Sequence, residues 1–127
     1  MKVIVAGSRR IKNYDLVEKS IKDSGFEVTE ILSGCAGGVD ELGEQYAARY
    51  NVKISYFPAN WSVYGRGAGM IRNEEMSKVA DALVAVWDGK STGTKDMIEK
   101  ATRKGIPVKV TLVDIPKRIG GKYEKVK

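Results

Sequence analysis

Five short apolar runs recur along the chain, and each is followed by a longer segment with helical spacing. The runs are Lys2–Ala6, Glu27–Leu32, Val52–Phe57, Ala82–Trp87 and Pro107–Val113. Most are rich in Val and Ile with little polar interruption, the pattern of strands covered on both faces. Four helices are predicted between them: Tyr14–Ser24, Val39–Tyr50, Gly67–Ala80 and Gly93–Lys104. The first stops at Gly25, and the last at Gly105 followed by Pro107, both sound stop signals. Strand starts at 2, 27, 52, 82 and 107 are the rhythm of a βα repeat. The alternation predicts a Rossmann-like α/β domain of three layers, with a parallel sheet of about five strands and right-handed crossovers. Open sheets of this kind bind ligands in the crevice beyond the strands' carboxyl ends.

A chain of 127 residues suits one domain, here residues 1–113, with a basic C-terminal extension over 114–127. At 43% hydrophobic and 30% charged it is too apolar for a disordered chain. No apolar run approaches the roughly 18 residues of a membrane span, so no membrane partner is expected. The start, Met1 to Ser8, does not read as a secretory signal. The single cysteine, Cys35, has no internal partner, which makes the cytoplasm the expected compartment. The chain has no histidine, which excludes Ser-His-Asp and Cys-His chemistry and His-ligated metal. No metal site and no cofactor are expected. The net charge of +6 is uneven. Residues 114–127 hold five basic side chains against Asp114 and Glu124, so the tail is distinctly basic and the body only mildly so. Such a tail is either a solvated extension or an arm that seeks phosphate or nucleic acid.

The loops after the strands share one character. After the first strand comes Gly7-Ser8-Arg9-Arg10, and after the second Ser33-Gly34-Cys35-Ala36-Gly37-Gly38-Val39-Asp40. After the third comes Pro58-Ala59-Asn60-Trp61, running into Gly65-Arg66-Gly67-Ala68-Gly69-Met70-Ile71-Arg72-Asn73. After the fourth comes Asp88-Gly89-Lys90-Ser91-Thr92-Gly93-Thr94. Glycines admit a ligand close to the backbone, and helix N-termini offer free N–H groups to an anion. Arg9, Arg72, Ser91 and Thr94 would complete a phosphate site, with backbone N–H groups of Gly34, Gly37 and Gly93. Asp40 either caps its helix, binds a ribose hydroxyl or acts as a base. Trp61 and Tyr64 are either core or lid packing, or stack on a base. Trp87, Met70 and Met76 read as core, and Cys35 as a small buried filler. Gly89-Lys90-Ser91 looks like the end of a P-loop, but Val84 stands where its first glycine belongs. Gly65-Arg66-Gly67 lies in a long loop rather than in a dinucleotide-binding turn.

In order, Gly7-Ser8-Arg9, Ser33-Gly34-x-Ala36-x-Gly38-x-Asp40, Pro58-Ala59-x-Trp61, Gly65…Ala68-Gly69-x-x-Arg72-Asn73-x-x-Met76, Ala80-Asp81, Trp87-Asp88-Gly89-x-Ser91-x-Gly93-Thr94 and Met97-Ile98 resemble the YspA, cpYpsA-related branch of the SLOG superfamily. The resemblance runs from about residue 3 to 113. It implies a Rossmann-like fold shared with the LOG phosphoribohydrolases and DNA-processing protein A, nucleotide-derived ligands, and a bacterial or phage setting. LOG enzymes carry a Pro-Gly-Gly-x-Gly-Thr-x-x-Glu motif with a catalytic Glu, and an Arg from an earlier Arg-Lys pair. Here Arg72-Asn73 meets the Arg position and Gly93-Thr94 the Gly-Thr, but Met97 stands at the Glu and Asp88-Gly89 replaces much of Pro-Gly-Gly. Asp40, Glu74 and Asp88 are the carboxylates left to substitute.

The expectation is therefore a nucleotide-binding sensor or sequestering module. Its ligand residues are Gly7, Ser8, Arg9, Ser33, Gly34, Gly37, Gly38, Asp40, Asn60, Trp61, Arg72, Asn73, Asp88, Ser91, Gly93 and Thr94. The first alternative is a nucleoside 5′-monophosphate N-glycosidase using Arg72 and Asp40. The second is a single-stranded nucleic-acid binder, disfavoured by the near-balanced body and few aromatics. A homodimer or higher oligomer through Tyr46, Tyr50 and Met76 is suggested by analogy with the superfamily.

Overall fold

A computed structural model of the chain describes residues 1–114, and the backbone of Lys117–Ile119 and Lys122–Glu124. Five parallel strands, β1 (Lys2–Gly7), β2 (Glu30–Ser33), β3 (Lys53–Tyr56), β4 (Ala82–Trp87) and β5 (Val108–Leu112), form one sheet in the order β3-β2-β1-β4-β5. The expected Rossmann-like α/β architecture is the one observed. Alternate residues of the central strand face opposite layers. Val3 and Val5 join Ile31, Val84 and Val86 beneath α1 (Tyr14–Asp23) and α2 (Val39–Arg49). Ile4 and Ala6 join Leu32, Leu83 and Ala85 on the other face, with Met76 and Met97. Those two methionines come from α4 (Ala68–Val79) and α5 (Thr92–Lys104). A strand buried on both sides needs an unbroken apolar run, and β1 and β4 have one.

The element boundaries follow from local chemistry. Asn13 caps α1 by accepting from the Leu16 N–H at 3.2 Å. Gly105 ends α5 at φ +76°, a conformation that costs glycine little. β2 begins at Glu30 rather than Glu27, because β1 offers its first ladder partner, Lys2, only there. Residues Trp61–Tyr64, expected as loop, form a short helix, α3, capped by Asn60 and continued by a 3₁₀ turn at Gly65–Gly67.

Three packing expectations need correction. Met70 is 56% exposed and is not core, because it lies on the open, cleft-lining part of α4. Met76, fully buried beside Leu83 and Met97, is closed to any dimer contact. Cys35 is exposed and holds φ +61°, so it serves the turn after β2 rather than filling the core.

Lys117–Ile119 and Lys122–Glu124 pair antiparallel as a separate ribbon, β6 and β7, which does not extend the main sheet. The rest of the basic extension, apart from Asp114, lies outside the described residues. Among the described residues no helix is long and apolar enough to cross a membrane.

Candidate functional site

The strand order reverses between β1 and β4. The chain leaves β1 toward β2, and returns past β3 to lay β4 on β1's other side. The loops after these two strands therefore diverge, and a crevice opens at their carboxyl ends. It is a cleft of about 780 Å³, walled by Gly7–Arg10 from one loop, Asp88 and Lys90–Thr94 from the other, and α4 with Trp61 in front. Its apolar floor is Ala6, Met76 and Met97. A second hollow of about 120 Å³ adjoins it and shares Arg9, Ala36, Trp61 and Arg72.

Most of the predicted ligand residues come together here. Gly7, Ser8, Arg9, Asp40, Trp61, Arg72, Asn73, Asp88, Ser91, Gly93 and Thr94 line the cleft, and Gly34 lines the smaller hollow. Ser33, Gly37, Gly38 and Asn60 line neither. Ser33 is buried and donates to Glu44 Oε2 at 2.7 Å. Asn60 uses its side chain to cap α3. Gly38, at φ +69°, packs backbone on backbone, since a Cβ there would stand 2.5 Å from Arg9 Cα. Gly7 is likewise a packing position, its missing Cβ replaced by Val39 Cγ2 at 2.7 Å. These two glycines seat the first two loops against each other.

Several site residues are engaged in building the loops. The Ser8 hydroxyl is buried and accepts from the Asp88 N–H at 3.1 Å. Asp88 Oδ1 accepts from the N–H groups of Lys90 and Ser91 at 2.9 and 2.8 Å. Burial pushes the Asp88 carboxyl up, but these N–H groups and Ser8 outweigh it and hold it below its ordinary range. The Trp87 indole N–H, expected as core, instead donates to the Ser91 carbonyl at 3.0 Å. The loop is thus closed from both ends before α5 begins. The first-turn N–H groups of α5, at Thr92, Gly93 and Thr94, have no carbonyl one turn earlier in the helix to accept them. All three residues line the cleft, beside the Ser91 and Thr94 hydroxyls.

Arg72 is half-buried in the opposite wall. Its Nε donates to Asn73 Oδ1 at 2.9 Å, and its Nη1 donates to the Gly34 carbonyl. Both acceptors are neutral, and among the described residues no carboxylate oxygen lies within 4.0 Å of it. Desolvation lowers its affinity for its proton, although an arginine stays charged all the same. Its positive charge is therefore held by neutral acceptors, with Asp40 and Asp96 near enough to favour it but not paired with it.

Asp40 sits across Gly34 from it. A Cβ on Gly34 would stand 2.8 Å from Arg72 Nη1 and 3.0 Å from Asp40 Oδ2, so the absent side chain is the spacer between the two. Asp40 is 5% exposed and accepts from the Ala36 N–H at 3.1 Å. Burial, aided by Glu44, raises its carboxyl to about 6 against the pull of the Ala36 N–H, Arg72 and Arg9.

Sequence reasoning missed several members of this site. Arg10, Arg66 and Lys90 add to Arg9 and Arg72, giving the cleft five cationic side chains. Its three carboxylates are Asp40, Asp88 and Asp96, and Asp96 is already paired with Lys100 at 2.6 Å. The Asp96–Lys100 spacing on a helix was legible, but it reads as an ordinary surface pair until α5 is packed. Of the carboxylates that might replace a LOG glutamate, Glu74 pairs with Lys104 at 3.4 Å and does not line the cleft. Asp88 is taken by its loop. Asp40 alone remains, and Met97 is buried in the floor. Among the described residues no three His, Cys, Asp or Glu side chains gather as a metal site.

Comparison with known proteins gives this cleft a context. In fold, the chain is similar to DNA processing protein A from Streptococcus pneumoniae, with a TM-score of 0.68 at 21% identity. That match covers 84% of this chain and 48% of the other. In sequence, it is 30% identical over 117 residues to the Gene 61 protein of Mycobacterium phage D29, covering 84% of this chain and 93% of that protein. The model of the YspA, cpYpsA-related SLOG family matches residues 1–64, which hold the first two glycine loops and Asp40. On these matches, the chain belongs to the YspA, cpYpsA-related SLOG family.

Proposed function

We propose that the cleft binds a nucleotide or nucleotide-derived phosphate ligand, and that the protein is a sensor or sequestering module for it. The observation that carries this reading is Arg72, a half-buried guanidinium whose hydrogen bonds go to two neutral acceptors and not to a carboxylate, in a cleft where five cationic side chains stand against three carboxylates. Such a charge is costly to bury, and an anionic ligand offsets the cost. The open N–H groups at the start of α5 lie across the same cleft and suit a phosphate. Arg9, Ser91 and Thr94 join the phosphate contacts, Asp40 faces a ribose hydroxyl, and half-exposed Trp61 covers the base. Asn73 is removed from the ribose contacts, because its amide is fully engaged within the protein. Thermal denaturation against a panel of nucleoside mono-, di- and cyclic dinucleotides tests the reading. A ligand at about one hundred times its Kd adds about 2.7 kcal/mol, a rise of several degrees for a domain this size. No shift with any of them overturns it. If single-stranded DNA instead binds with a steep loss on adding salt, the nucleic-acid reading takes its place.

A second reading is favoured by Asp40. A buried carboxyl raised to about 6 beside an arginine is suited to hold or give a proton near neutral pH. On that reading the cleft cleaves the N-glycosidic bond of a nucleoside monophosphate. Release of free base that is lost in Asp40→Asn establishes it.

A further inference from the structure

Asn73 hydrogen-bonds to both candidate phosphate-binding elements. Its Oδ1 accepts from Arg72 Nε at 2.9 Å. Its Nδ2 donates to the Gly93 carbonyl at 3.2 Å and to Asp96 Oδ2 at 3.0 Å. Asp96 Oδ1 accepts from Lys100 Nζ at 2.6 Å. A continuous chain thus runs from Lys100 through Asp96 and Asn73 to Arg72, with a branch to the first turn of α5.

This ion pair is unlike the others with the same spacing. Lys19–Asp23 and Lys95–Glu99 are solvated, with side chains half or more exposed, and in Lys22–Glu18 the lysine is 53% exposed and the contact stretches to 4.0 Å. In Lys100–Asp96 both side chains are 14% exposed or less. Burying such a pair gains little stability over an apolar pair of similar size, so stability does not account for it. Its chemistry does. An amide has a donor end and an acceptor end, and either can point toward Arg72. The Gly93 carbonyl and the Asp96 carboxylate both accept, so together they hold the NH₂ end of Asn73 toward α5 and leave the carbonyl end for Arg72 Nε. Lys100 Nζ donates to the other oxygen of that carboxylate and holds it in place. If the amide turned over, its NH₂ would face the Nε–H of Arg72, donor against donor, and the guanidinium would lose one of its two supports.

We propose that Asp96 and Lys100 are positioning residues for ligand binding: through Asn73 they set the direction of the Arg72 guanidinium and its separation from the N-terminus of α5. This rests on the cleft's being a phosphate site. Neither residue need touch the ligand.

The test replaces the pair with apolar residues, Asp96→Leu together with Lys100→Met, in the full chain with and without Arg72→Ala. Binding of adenosine 5′-monophosphate is measured by calorimetry, and the Arg72 Nε–H resonance by NMR. The expected result has three parts: a roughly tenfold weaker Kd in the pair variant, loss of its protected Nε–H signal, and no further change in Kd when the pair is replaced in the Arg72→Ala background. An unchanged Kd overturns the proposal, and so does equal weakening in both backgrounds, since independent effects add. If the pair variant folds poorly, Asn73→Ala breaks the chain at its centre and is read in the same way. A wild type that shows the protected signal but binds no nucleotide refutes the phosphate site itself, and the positioning role falls with it. A wild type that binds while the signal is unprotected refutes only the positioning role.

Discussion

Replacing Asp40 by Asn should make the protein more stable above pH 6, and should flatten part of its pH dependence. In the folded chain the carboxyl is 5% exposed and titrates at about 6, against 3.8 in the unfolded chain. Its folded value is the higher one, so the folded state binds the proton more tightly. The stability this contributes is complete below pH 4 and is lost as pH rises through 6. A shift of about two units corresponds to about 3 kcal/mol at neutral pH, at 1.36 kcal/mol per unit. Asn carries no charge and keeps an oxygen for the Ala36 N–H, so it escapes this loss. Its NH₂ group brings a new donor that needs a partner, which brings the expected gain to about 1–3 kcal/mol. The window is unusually clean, because the chain has no histidine and no other side chain ordinarily titrates between pH 5 and 7. Urea unfolding at half-unit steps from pH 4.5 to 7 measures it. Wild type should lose stability relative to the variant mostly between pH 4.5 and 6, with little further divergence above about 6.5. Parallel curves would falsify the reasoning, whatever the absolute stabilities, because they would mean that Asp40 titrates alike in the folded and unfolded chains. A stabilised variant that also binds nucleotide more weakly would mark Asp40 as a site residue kept at the expense of stability.

Neighbouring glycines should answer differently to the same substitution. Gly38→Ala, at φ +69° and against Arg9 backbone, should cost about 3 kcal/mol or more in thermal or urea unfolding, whereas Gly37→Ala, with no heavy atom within 4 Å of its Cβ, should be near neutral. Trp61→Ala should weaken nucleotide affinity by about 1–3 kcal/mol while moving stability little, since the ring is 52% exposed in the unliganded chain. Equal affinity by titration would remove Trp61 from the site. Arg72→Lys should bind nucleotide at least tenfold more weakly than wild type in calorimetry, because an ammonium cannot reach Asn73 Oδ1 and the Gly34 carbonyl as a fork while facing the cleft.

Much of the site could be read from the chain alone, and the misreadings share a cause. The loops at Gly7–Arg10 and Asp88–Thr94 were legible because Gly, Ser and Arg gather directly after successive strands, at one edge of the predicted sheet. Asp40 and Arg72 stood out for the same reason. What the linear pattern could not separate was a glycine that admits a ligand from one that admits another loop. Gly38 and Gly7 are of the second kind. Asn73 was expected either to touch ribose or to fix loops, and only its partners across the α4–α5 contact decide for the second.

Hydrophobic period and stop signals were enough to determine five parallel strands, their intervening helices and the edge of the sheet on which the glycine loops gather. These depend on neighbours within one turn or one strand, where chemistry and spacing are enough. The tertiary structure alone decided which helix face turns inward. Met70 and Met76 share α4, yet one is 56% exposed and the other 1%. It also decided whether the Asp96–Lys100 pair meets water or the interior. Burial is a property of what lies across the interface rather than of the residue. The same packing therefore decided that Arg72 spends its hydrogen bonds on neutral acceptors and that the Asp40 carboxyl is raised to about 6, the facts on which the first and second functional readings respectively rest.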